Sequence, residues 1–170
     1  MNEKTAYIGL LCALAIILGY VEMLLPVFPF APGVKLGITN LVTVFLLYSF
    51  TYKEAALVSC IRIVCIGFMF GNLFSIVYSL AGAFLSLFCM TLAKKIKGLS
   101  MAGVSVIGGV THNIGQLIIA ALVVESGSVF FYFPILLFAG TVTGLLIGIV
   151  SSEIYKRIPG RIGNDSVFKR

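Results

Sequence analysis

Six apolar runs, broken only by turn residues or charges, constrain this chain more than any other feature; they fall near 5–25, 36–52, 55–70, 73–93, 101–124 and 131–155. A hydrocarbon core of about 30 Å takes roughly 20 helical residues to cross. Runs of this kind over most of 170 residues therefore predict an all-α, polytopic membrane bundle of six helices. The composition agrees, at 60% hydrophobic and 11% charged residues. The second and third runs are short, so they are expected to be tilted, or shielded where irregular backbone lines a cavity. Lys4 ahead of the first run imitates a signal peptide, but the run continues through Leu25 without a small-x-small cleavage site and reads as a mature first helix. The expected organisation is one transmembrane domain, 1–157, and a short polar cytoplasmic tail, 158–170, with no room for a soluble enzyme domain.

The net charge of +6 would suggest nucleic acid in a soluble chain, but here the basic residues fall in clusters between apolar runs. With the N-terminus inside, Lys4, Lys53, Lys94, Lys95, Lys97, Lys156, Arg157, Arg161, Lys169 and Arg170 all become cytoplasmic, which is 10 of the 12. The turns at Gly71-Asn72 and 125–130 carry none. Both termini are therefore expected inside, in a bacterial cytoplasmic membrane, with no nucleic-acid partner. Phe130 to Phe133 fit the outer boundary, and Tyr48, Tyr52 and Tyr155 the inner one.

Several chemistries are excluded. The single aspartate, Asp165, lies in the tail, so no paired-aspartate magnesium site is available. Cys12, Cys60, Cys65 and Cys89 lie inside apolar runs without C-x-x-C spacing and read as packing residues. One histidine builds no multi-histidine metal site, and no P-loop, H-E-x-x-H or nucleophile–base pattern is present. No cofactor, resident metal or catalytic residue is expected, and any ATP used must be hydrolysed by a partner.

The informative residues are polar groups at membrane depth, of which the ionisable ones each cost about 2.5–3.5 kcal/mol on insertion scales. Arg62 is near the middle of the third run; His112, Asn113 and Gln116 are near the middle of the fifth; Glu22 is near the outer end of the first. Lys35 and Asn40 bracket the entrance to the second. Arg62 and Glu22 form a buried ion pair or face a ligand, and His112 is a hydrogen-bonded core residue or a ligand contact. If all point inward they surround one outward-opening cavity, where Lys35 and Arg62 against Glu22 leave an excess of +1 suited to an anionic small molecule. The stretch from Pro26 to Gly37 holds three prolines and two glycines yet carries Phe28, Phe30 and Val34, so it is expected to fold back over that cavity. Small-residue stripes occur at Gly9 and Ala13, at Ser75, Ser79 and Ala83, and at Gly140, Gly144 and Gly148. Each is internal packing or a docking face, and Gly9 with Ala13 is the best candidate for docking.

Pro32-Gly-Val-Lys-Leu-Gly followed by Asn40, Arg62 with Phe70-Gly-Asn-Leu and Tyr78-Ser-Leu-Ala-Gly, and His112-Asn-Ile-Gly-Gln together resemble a small bacterial membrane family, the Gx transporters. That family is also labelled heptaprenyl diphosphate synthase component I, and the likeness covers roughly 5–157. Its plan is similar to the substrate-binding S components of energy-coupling factor transporters. The resemblance implies a solute-binding subunit whose substrate is a flavin, a vitamin or an isoprenoid precursor. Binding would fall to Glu22, Gly33, Lys35, Asn40, Arg62, Asn72, His112, Asn113 and Gln116. It also implies that Gly9 and Ala13 dock a transmembrane coupling protein driven by ATPases. The second label implies a different partner, a soluble prenyl diphosphate synthase, with this chain as its non-catalytic membrane subunit.

Overall fold

The structure, a computed structural model, describes residues 3–24 and 36–158. It is built from α1 (Glu3–Leu24), α2 (Ile38–Ser49), α3 (Tyr52–Phe70), α4 (Leu73–Ala93), α5 (Met101–Val124) and α6 (Phe133–Arg157), with a 3-10 helix, Gly127–Tyr132, leading into α6. No strand occurs among the described residues. Four segments, α1, α4, α5 and Gly127–Arg157, are long and apolar enough to cross a bilayer. Their outward faces carry Phe131, Phe138, Leu73 and Leu122, all largely exposed. Apolar surface on this scale belongs against lipid.

Local chemistry sets the helix boundaries. Thr51 and Glu54 form a capping box at the start of α3, Asn72 and Ser75 do the same for α4, and the Ser100 hydroxyl accepts from Gly103 N at 3.1 Å to start α5. The second helix departs from the 36–52 expected. It spans 12 residues, about 18 Å at the α-helical rise. Gly37 holds φ 70, a left-handed conformation that closes the helix to upstream residues, and Phe50 leaves the helical region before the Thr51 cap. This helix is the buried centre of the bundle: Val42, Val44, Leu46 and Leu47 are at most 2% exposed. Ala15, Ala55, Val58, Met90, Val104 and Ile147 pack with them from the other helices.

The glycine stripe of α6 is an internal seam. A Cβ on Gly144 would sit 2.8 Å from Ser105 O and from Val106 Cα of α5, so α5 and α6 touch backbone to backbone. Gly115 approaches Ala81 of α4 as closely, where a Cβ would lie 2.8 Å from the Ala81 carbonyl. These two seams fix the rotation of α5, which carries the largest share of the polar site. Gly9 on α1 differs, because a Cβ there meets nothing within 4 Å, and Ala13 beside it is also exposed.

Side-chain contacts gather the helix ends. Lys4 pairs with Glu54 at 2.5 Å, tying the start of α1 to the start of α3. Lys94 donates to Leu47 O at 2.7 Å and lies 4.8 Å from the Tyr48 ring centroid; Tyr155 packs against Tyr48 and Phe45. Lys4, Lys53, Lys94 and the tyrosines of α2 and α6 thus share one end of the bundle. At the opposite end, the rings of Tyr20 of α1 and Phe70 of α3 meet tilted, with centroids 5.1 Å apart.

Candidate binding cavity

Every helix contributes to one polar cavity in the half of the bundle away from the Lys94 end. Its wall comprises Gly19, Glu22 and Met23 from α1, Gly37, Thr39 and Asn40 around the start of α2, Arg62 and Ile66 from α3, Ser79 from α4, Gly109, His112, Asn113 and Gln116 from α5, and Thr143 from α6. Helical spacing accounts for much of the set: Arg62 and Ile66, and likewise His112 and Gln116, are four apart and share a face. Gly82 of α4 makes room for the last pair, since a Cβ there would meet His112 Cε1 at 3.0 Å and Gln116 Cγ at 2.9 Å. The cavity measures about 70 Å³, space for about five waters at 10–15 Å³ each.

A charge-assisted chain lies across the wall. Arg62 Nη1 donates to Thr39 Oγ1 at 2.8 Å. The Thr39 hydroxyl, accepting there, directs its own proton to Glu22 Oε2 at 3.2 Å. Glu22 Oε1 accepts from the Gly37 N–H, so its carboxylate sits at the N-terminus of α2, where the helix dipole favours negative charge and Gly37 supplies no side-chain cap. Glu22 and Arg62 therefore lie on either side of one hydroxyl, and the direct ion pairs among the described residues are Lys4–Glu54, Lys156–Glu153 and Arg157–Glu153. Arg62 Nε is buried and has no hydrogen-bond partner among the described residues.

Of the residues expected to bind substrate, Glu22, Asn40, Arg62, His112, Asn113 and Gln116 meet in this cavity. Asn113 is partly committed, because its Nδ2 donates to Leu136 O at 2.8 Å and ties α5 to α6. Asn72 is not among the lining residues; it is exposed, and its Oδ1 accepts from Ser75 N at 2.8 Å as the cap of α4. Gly33 and Lys35 lie outside the described residues, as does nearly all of the stretch expected to cover the cavity. Without Lys35 the described wall carries one cation and one anion, balanced before His112 is counted. Thr39 and Thr143 went unnoticed in the sequence. Thr39 is the more important, 3% exposed and hydrogen-bonded to both charges.

The chain matches the family model described as heptaprenyl diphosphate synthase component I over residues 11–154, and it belongs to that family. No curated protein matches it, and no solved structure does.

Proposed function

We propose that this member of the heptaprenyl diphosphate synthase component I family is a solute-binding membrane subunit that holds the anionic group of a small molecule in the cavity around Arg62. The observation that carries the reading is Arg62 Nε, buried without a hydrogen-bond partner among the described residues, in a wall that also offers Asn40, His112 and Gln116. A guanidinium left with unused donors at membrane depth retains the capacity to take a carboxylate or phosphate oxygen. The charged group would be bound in the cavity and the remainder of a flavin, vitamin or isoprenoid precursor would extend beyond it. All six helices would span, with both termini cytoplasmic and the cavity opening outward, because the basic helix ends gather opposite it. The membrane would be the bacterial cytoplasmic membrane. Gly9 and Ala13, with open space in front of them, would dock a transmembrane coupling protein driven by ATPases.

The family description favours a second reading, a non-catalytic membrane subunit of a prenyl diphosphate synthase. A chain whose one aspartate is Asp165 lacks the paired aspartates that would hold magnesium against a diphosphate, so catalysis would belong to a soluble partner. The deciding experiment is mass spectrometry of the small molecules and proteins that co-purify with the wild type, Arg62→Ala and Lys35→Ala. A bound anionic molecule lost from the Arg62 variant supports solute binding. An aspartate-rich synthase retained by all three, with no small molecule in any, would favour the second reading.

A further inference from the structure

Opposite charges buried side by side in a membrane protein usually neutralise each other directly, which spares both the cost of standing alone. Glu22 and Arg62 do not. Both line the same cavity, yet the Thr39 hydroxyl is wedged between them, receiving from Arg62 Nη1 at 2.8 Å and donating to Glu22 Oε2 at 3.2 Å. Each charge keeps unused capacity. Among the described residues, Arg62 retains its buried Nε, and Glu22, with one donor on each oxygen, retains about two of the four acceptor sites of a carboxylate. The described wall is thus neutral in sum but divided in sign, with the carboxamides Asn40 and Gln116 available to either half.

Such a wall is poorly matched to a simple anion, which would gain Arg62 but bring a second negative charge close to Glu22 at low dielectric. It matches a ligand that repeats the division. Resting on the solute-binding reading above, we infer that the group held in this cavity is a compact zwitterion: a carboxylate or phosphate against Arg62 Nε and an ammonium against Glu22. The space agrees in scale. About 70 Å³ holds about five waters, comparable to the non-hydrogen atoms of an amino-acid head group. An amino-acid-like solute and the phosphoethanolamine head of a lipid present the same chemistry.

The test measures thermal unfolding of the full chain in phosphatidylglycerol nanodiscs with glycine, O-phosphoethanolamine, acetate, inorganic phosphate or ethanolamine added at millimolar concentration. Glycine or O-phosphoethanolamine should bind at least roughly tenfold more tightly than acetate, inorganic phosphate or ethanolamine, each of which carries charge of one sign only. Glu22→Gln should reverse the order, bringing acetate or phosphate ahead, while Arg62→Gln should lose both zwitterions. Including phosphatidylethanolamine in the nanodisc distinguishes the sources: competition with the free zwitterions identifies a lipid head group, and its absence identifies a soluble solute. Acetate or phosphate binding the wild type as tightly as glycine, or a glycine preference unchanged in Glu22→Gln, would overturn the zwitterion and leave solute binding intact. If no probe shifts the transition of a wild-type protein that unfolds cooperatively, both fail.

Discussion

Thr39→Val removes one hydroxyl and almost nothing else, because valine keeps the shape and the β-branch. The side chain is 3% exposed and hydrogen-bonds a charged group on either side. Hydrogen bonds to charged groups contribute about 1.5–3 kcal/mol each, and a buried charge left unsatisfied costs at least as much. Two such bonds are lost, but Glu22 keeps the Gly37 N–H, so the expected destabilisation is about 2–4 kcal/mol. For a chain of this size that lowers the melting temperature by roughly 5–15 °C. The free, half-buried Cys12, Cys60, Cys65 and Cys89 provide the reporter, since a thiol-reactive fluorophore labels them as the bundle opens. Thr39→Ser keeps the hydroxyl and should lose less than about 1 kcal/mol, mostly from the missing methyl. In a Glu22→Gln, Arg62→Met background the valine substitution should cost under about 1 kcal/mol, since the charges it satisfied are gone. A wild-type melting temperature in Thr39→Val, or the full loss persisting in that background, would show that Thr39 does not hold the two charges apart.

Two other perturbations separate packing from surface and locate a charge. Gly144→Leu drives a side chain into the Ser105 and Val106 backbone and should destabilise by more than about 3 kcal/mol, or block folding. Gly9→Leu meets open space and should leave the melting temperature unchanged while abolishing co-purification with a coupling subunit, and retained association would remove Gly9 from the docking face. Glu54 precedes the apolar stretch of α3, and hydrogen bonds from Lys4 and then Thr51 hold its carboxyl down at about 2. A carboxyl lowered on folding stabilises fully above its ordinary value near 4.5 and loses that contribution as the pH falls towards 2. Melting curves between those limits should fall less steeply in Glu54→Gln than in the wild type, and parallel curves would remove the Lys4 tie from the fold.

The site was legible where burial alone makes a residue type unusual. An arginine, a histidine or a glutamate in an apolar run needs a reason, and Glu22, Arg62 and His112 do converge. An asparagine beside a glycine reads equally as a ligand contact or a helix cap, and Asn72 forms the cap of α4. Thr39 was illegible for the opposite reason. Threonine in an apolar helix ordinarily bonds its own backbone, as Thr91, Thr111, Thr141 and Thr143 do here. Thr39 instead stands in the first turn of α2, and its hydroxyl meets Glu22 and Arg62.

The apolar runs determined the secondary structure and the membrane setting, because span length and polar breaks act locally and hardly depend on neighbours. Ten of the twelve helix boundaries fall within two residues of those read from the chain, and α4 and α5 match it. Tertiary structure decided what the runs were for. It made α2 a short buried core helix, turned the α6 glycines inward onto α5 while leaving Gly9 open, and set a hydroxyl between two opposite charges. Those outcomes depend on which helix faces which, and on close approaches between residues far apart in the chain, which periodicity along a single helix does not encode.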